Sequence, residues 1–370
     1  MTSEDQRTPA TDRPAGGLPH RGDAVRGVPR GTAPAPLSIL DLATVGVGYT
    51  PAEALAAATA LARSAEEWGY HRFWVAEHHG MPGVASSTPA VLLAHLGAHT
   101  ATLRLGSGGV MLPNHAPLAI AEQFGLLEAL NPGRIDLGLG RAPGTDQATA
   151  RALRRGLTEG ADDFPQQLAE LTHFLDGDFP PGHPYARLAA VPRGASRPPV
   201  WLLGSSGFSA RLAGRLGLPF AFAHHFGGNN TIPALDLYHS SFRPSAVLAE
   251  PYTLIGVSAV AAEGQGQARR LARSAGLGML RLRRGSPGPI PTPQEAEEYP
   301  YSPAEADFLE GWLANVVLGA PGEVADGLEA LRKRTGADEL MVTSHIHGHE
   351  ARHRSYGLIA HAYGLTDRPV

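Results

Sequence analysis

Cysteine is absent from the 370 residues. Its absence excludes disulfides, thiolate metal sites and cysteine nucleophiles, and suits a reducing, cytoplasmic compartment. No apolar run approaches the ~20 residues that cross a bilayer, so no membrane association is expected. An excess of basic charge is missing too. Against 35 acidic residues stand 31 Lys and Arg, a formal net charge of −4, so nucleic acid is not an expected partner. The first 36 residues lack apolar periodicity and are rich in Pro, Gly, Arg and Asp, and read as a disordered tail. They hold no apolar core of the roughly 7–15 residues found in a secretory signal, and Glu4, Asp5, Asp12 and Asp23 argue against a transit peptide. What is present is a 43% hydrophobic chain, enough for one large α/β domain, expected over residues 37–370.

Leu103–Gly144 organises that domain. Leu103, Leu105 and Val110–Leu112 form an apolar run; Leu118, Ala121, Phe124, Leu127 and Leu130 then recur at helical spacing, and Ile135–Leu139 is a second strand. Strands joined by a helix of this length are parallel neighbours. Further strands are expected at Leu37–Leu42, Arg72–Ala76, Val200–Leu203, Pro219–Ala223, Tyr252–Val260 and Glu339–Val342, with capping boxes at Thr50–Glu53 and Ser302–Glu305. Eight short apolar strands alternating with helices favour a (β/α)₈ TIM barrel. A doubly wound sheet is the alternative, but its glycine fingerprint after the first strand is absent. Residues 145–198 and 284–302 are the irregular insertions, where substrate specificity is expected.

In such a barrel the C-terminal strand ends share one mouth. It would gather Glu77–His79, Gly108–Val110, Gly140–Arg141, Ser205–Ser206, His224–His225 and Ser344–His345. The set is small, hydroxylated and neutral to basic, which suits a flat anionic ligand carrying a phosphate. Glycines let a planar ring approach the backbone. Ser205–Ser206 at a helix start offers hydroxyls and open N–H groups, and Arg141 adds a charge-assisted contact. His78 is the candidate proton-transfer group, with Glu77 beside it to orient it. Gly138–Gly144 imitates a dinucleotide fingerprint at the wrong spacing, and the Gly-x-Ser-x-Gly elbow of hydrolases is not present around Ser205. His345, His347, His349 and His353 suggest a metal-dependent hydrolase as a competing reading. They lack a convincing carboxylate partner, so no metal is expected.

Phe73–His79, Leu105–His115, Asn131–Arg141 and Trp201–Ser206 together resemble the bacterial luciferase-like flavin monooxygenases, and the resemblance runs from about Leu37 to Leu365. It is nearest to members that tailor natural products or lack an assigned substrate. The resemblance implies reduced FMN as cofactor and O₂ as co-substrate, a C4a-peroxyflavin and oxygenation of a small organic molecule. It implies His78 as catalytic residue and Arg141 and Ser206 as phosphate ligands. Gly108, Gly109, Val110, Ser205 and His224 are expected to complete the flavin site, with a non-proline cis peptide at Gly108–Gly109. Luciferase carries a reactive cysteine where Gly140 stands here, which points to dark monooxygenation rather than light emission. No NAD(P)H site is legible, so a separate NAD(P)H:flavin reductase is the expected partner, and the family implies a homodimer. The alternative on the same barrel is F420-dependent hydride transfer; a flavin-binding protein without turnover is a further one.

Overall fold

The structure, a computed structural model, describes residues 25–142, 147–153, 163–194 and 196–367. Its strands are β1 (Leu37–Asp41), β2 (Arg72–Val75), β3 (Arg104–Ser107), β4 (Val110–Met111), β5 (Ile135–Gly140), β6 (Val200–Gly204), β7 (Phe220–Phe222), β8 (Thr253–Ala261), β9 (Val317–Gly319) and β10 (Glu339–Thr343). The helices are α1 (Pro51–Trp68), α2 (Pro89–Gly97), α3 (Pro117–Leu130), α4 (Gln147–Leu153), α5 (Phe164–Asp176), α6 (Gly207–Leu216) and α7 (Thr231–Ser241). There follow α8 (Gln265–Arg283), α9 (Pro293–Glu298), α10 (Pro303–Leu313), α11 (Pro321–Thr335) and α12 (His349–Ala362).

Eight of these strands close a parallel ring in the order β1, β2, β3, β5, β6, β7, β8, β10, and β10 pairs with both β8 and β1. The chain is a (β/α)₈ barrel. Helices cover the outside and side chains fill the inside, so strands such as β5 and β8 are buried along their whole length. Such strands read as continuous apolar runs, which is why all eight are legible. Two short strands lie outside the ring: β4 extends the β3 side along β5, and β9 pairs with the end of β8.

Local chemistry sets the helix ends. Thr50 Oγ1 accepts from the Glu53 N–H at 3.2 Å, the Glu53 carboxylate accepts from the Thr50 N–H at 2.7 Å, and Pro51 occupies the first turn of α1. Gly69 ends that helix at φ +85°, a left-handed conformation costly for any other residue. The Ser302–Glu305 box starts α10 in the same way.

The N-terminal end of the barrel is closed by charge. Arg72, fully buried, donates to Asp136 and Glu339 at 2.9 Å each, and Arg104 donates to Asp136 at 2.5 Å. Burial pushes the Asp136 carboxyl up, but Arg104 and Arg72 outweigh it and hold it at about 2. Residues 25–36 pack over this end, which corrects the expectation of a disordered tail running to residue 36. Val25 is fully buried, Gly27 N–H donates to the Tyr252 hydroxyl at 2.8 Å, and Thr32 N–H donates to Gly364 O at 2.8 Å. The segment is too short and polar to order alone; it orders because it covers the plug. Residues 1–24 of the expected tail lie outside the described residues. Among the described residues, no helix is long and apolar enough to cross a membrane.

Candidate active site

At the C-terminal mouth the barrel opens into a cavity of about 310 Å³. Its floor is Leu40, Trp74, Leu254 and Met341, and its walls include His78, Gly108, Met111, Gly140, Arg141, Ser205, Ser206, His225 and His345. Most of the residues expected to converge therefore do so.

Along the β2 wall, His78 lies three residues past the strand, and its N–H donates to Ser86 O at 3.1 Å. The Glu77 carboxylate, fully buried, has contacts of its own: His79 and His115 at 2.9 Å on one oxygen, and the Met111 N–H at 3.0 Å on the other. Burial raises this carboxyl, but the hydrogen bonds from His115, His79 and Met111 prevail and hold it below the usual range. Glu77 thus ties the β2 end to the Met111 wall.

The peptide between Gly108 and Gly109 is cis. A Cβ on Gly108 would sit 2.7 Å from Leu40 Cδ1 and one on Gly109 2.8 Å from Gly138 O, so the backbone packs closely here. Gly108 lines the cavity, whereas Gly109, contrary to expectation, does not. Val110 is 2% exposed and points away from the cavity, contrary to expectation; its neighbour Met111 lines the wall instead.

On the opposite side, β6 delivers Ser205 and Ser206 to the start of α6. Both serines are exposed, and Ser206 makes no side-chain bond to its own helix, leaving hydroxyl and first-turn N–H groups available. Arg141, just past β5, lays its guanidinium over the Phe208 ring at 4.2 Å from the centroid and makes no ion pair among the described residues. Two serines, a helix N-terminus and an unpaired arginine meet at one rim. Such a rim has the chemistry to hold an anion.

His224 does not line the cavity. It is 9% exposed and bonded through Nδ1 to Thr231 Oγ1 at 2.7 Å, so the expectation for it is corrected to His225. His225 donates from Nδ1 to Gly256 O at 3.1 Å. Strand β7 ends at Phe222 and a short turn over His224–Phe226 brings His225 inward, so strand alternation gave no signal that could have selected it. Burial, with His224 and His78 nearby, lowers His225 to about 4. Burial, with His225, Arg352 and His78, lowers His345 to about 3. Both rings are neutral at physiological pH. The remaining C-terminal histidines separate: His347 donates to Val47 O, His353 bonds Ser64 Oγ, and His349 packs on Tyr49. The irregular segment after β5 holds α4 and α5, and residues 154–162 of it lie outside the described residues. The 284–302 segment crosses the mouth side of the barrel, where Ile290 exchanges hydrogen bonds with Val45 and Val47 at 2.9 Å.

Ring closure and an apolar cavity at the C-terminal mouth, rimmed by Arg141 and two serines, define a (β/α)₈ barrel with a candidate active site. Residues 36–339 match the luciferase-like monooxygenase family model, and the chain belongs to that family, an oxidoreductase family. It is 47% identical over 321 residues to a luciferase-like monooxygenase of Escherichia coli, covering 87% of this chain and 95% of that one. It is 48% identical over 196 residues to N-acetyl-S-alkylcysteine monooxygenase of Bacillus subtilis, covering 53% of this chain and 59% of that enzyme. Among solved structures, apo-MsnO8 superposes with a TM-score of 0.82 at 37% identity, covering 90% of this chain and all of the other. The fold alone is shared with the FMN complex of the oxygenating constituent of 3,6-diketocamphane monooxygenase from Pseudomonas putida (TM-score 0.67, 18% identity). It is shared likewise with an F420-dependent secondary alcohol dehydrogenase (TM-score 0.62, 15% identity).

Proposed function

We propose that this chain is a monooxygenase that binds reduced FMN and uses O₂ to oxygenate a small organic substrate. The observation that carries the reading is the placement of Arg141, Ser205 and Ser206 on one rim of the cavity that His78 also lines. Two features support a flavin nucleotide. The serine and arginine rim suits a phosphate, and Gly108 presents bare backbone to the cavity, which suits close approach of a flat ring.

Reduced flavin, when bound, supplies the electrons that activate O₂. The protein's part follows from its side chains. Arg141 and Ser206 hold the phosphate and fix the cofactor's orientation. Leu40, Leu254 and Met341 keep the floor dry, which strengthens polar interactions above them. His78 holds or moves a proton at its imidazole, the side chain suited to exchange near neutral pH. Neutral His225 and His345 add hydrogen-bonding capacity without adding charge.

The electrons come, on this reading, from a separate NAD(P)H:flavin reductase in the cytoplasm, and the working form is a homodimer. Likeness to an N-acetyl-S-alkylcysteine monooxygenase supports thioethers as the first substrates to assay, ahead of aldehydes and aromatic polyketides. The test is O₂ uptake with an N-acetyl-S-alkylcysteine. Product should form when a flavin reductase supplies FMNH₂ and not with NADPH alone. Turnover with NADPH in the absence of a reductase, or with reduced F420 in preference to FMNH₂, would overturn the reading.

A further inference from the structure

Three aromatic rings run in unbroken contact from the cavity floor to the charged end of the barrel. Trp74 lines the cavity. Its ring meets Trp201 edge-on, with centroids 5.2 Å apart, and Trp201 meets Tyr252 in the same way at 5.8 Å. Beyond Tyr252 lies Arg26, its guanidinium carbon 5.4 Å from the phenol centroid and its side chain 41% exposed. The rings are buried, but their polar atoms are treated differently. Trp74 Nε1 donates to Asp136 at 3.1 Å and the Tyr252 hydroxyl donates to Glu339 at 2.9 Å. Trp201 Nε1 has no hydrogen-bond partner among the described residues, and the Arg72 guanidinium lies 4.7 Å over its ring.

We propose that Trp74, Trp201 and Tyr252 carry an oxidising equivalent out of the cavity when oxygen chemistry there miscarries. The proposal rests on the flavin reading above. An indole or phenol can give up one electron, and rings in contact exchange electrons faster than they react with solvent. A one-electron, oxygen-derived oxidant in the cavity takes an electron from Trp74, whose positive charge the Asp136 carboxylate favours. Trp201 refills Trp74. With no proton acceptor and a guanidinium on its face, Trp201 is a poor place for the charge to stay, so it passes on. Tyr252 refills Trp201 and gives its phenolic proton to Glu339, since an oxidised phenol is a strong acid. A thiolate in solution on the Arg26 side returns one electron, Glu339 returns the proton, and two thiyl radicals pair as a disulfide. The benefit is local: Met111 and Met341 line the cavity and are open to sulfoxidation.

The test uses light instead of turnover. Bound oxidised FMN, excited by a short pulse, takes an electron from Trp74 and its fluorescence is quenched. Transient absorption of the wild-type complex should show a tryptophan radical giving way to a tyrosyl radical. Tyr252→Phe, which removes one hydroxyl, should keep the tryptophan signal and lose the tyrosyl one. Trp201→Phe should keep the quenching and lose the tyrosyl signal. Quenching without any tyrosyl radical in the wild type, or an undiminished tyrosyl signal in Trp201→Phe, overturns the relay and leaves the flavin reading intact. If FMN does not bind but F420 does, the cofactor reading fails, and excited F420 gives the same test of the relay. If neither binds, both fall.

Discussion

The guanidinium of Arg141 lies on the ring of Phe208, 4.2 Å from its centroid, beside the uncapped first turn of α6. A flat aromatic face holds the cation at the cavity rim, and no carboxylate among the described residues neutralises it, so the charge is available to a ligand. Because a hydrogen bond to a charged group contributes about 1.5–3 kcal/mol, Arg141→Ala should weaken FMN binding by roughly 10- to 150-fold. Riboflavin, which lacks the phosphate, should bind the variant and the wild type alike. Phe208→Leu should cost a smaller factor, about 2- to 5-fold, as expected for an exposed cation–π contact of about 0.5–1 kcal/mol. Fluorescence titration with both ligands measures all of these. Equal losses for FMN and riboflavin would contradict the anion grip.

His78→Asn keeps the size of the side chain and removes its proton chemistry. Oxygenation should fall by about 10²- to 10⁴-fold, the usual contribution of a positioned acid or base, while FMN affinity changes little. Stopped-flow turnover beside a binding titration checks the split. A loss confined to binding would make His78 a ligand only.

Much of this site was legible because a parallel barrel imposes its own periodicity. Strands buried on both faces leave apolar runs, the residues after them converge, and His78, Gly108, Arg141, Ser205 and Ser206 follow from that rule alone. Gly109, Val110 and His224 did not, because a rule that names the strand end leaves the facing open. The turn at His224–Phe226 puts His225 inward, and Met111 takes the wall position after the paired glycines. The three-residue β9 was missed for lack of length, since Val317–Gly319 is too short to show alternation. Residues 25–36 read as disordered because their order comes from Arg72, Tyr252 and Gly364, partners 45 or more positions distant along the chain whose proximity no local pattern shows.

The charged plug beneath the cavity gives a stability prediction. Arg72→Met removes the cation shared by Asp136 and Glu339, both fully buried. Breaking one side of a buried ion pair costs about 3–5 kcal/mol, so the urea midpoint should fall steeply. A change below about 1 kcal/mol would show that Arg104, Tyr252 and Ser38 suffice to hold the two carboxylates.

Acid should destabilise the fold through His225 and His345. Their folded values, about 4 and about 3, lie below the ordinary 6.5, so the unfolded chain binds protons first as pH falls. The neutral-ring contribution is fully present above pH 6.5 and declines as pH drops toward 4. The slope is at most about 1.4 kcal/mol per pH unit for each ring, and less here because both border an open cavity. Thermal melts between pH 4 and 7 should show this decline, and His345→Phe should flatten it. A wild-type profile level over that range would exclude buried neutral histidines.

The most direct test of the central claim is a competitive binding titration of the wild-type protein with FMN, riboflavin and F420. FMN is predicted to bind most tightly, with riboflavin weaker by at least the factor lost in Arg141→Ala. Preference for F420, or equal affinity for FMN and riboflavin, would contradict the account.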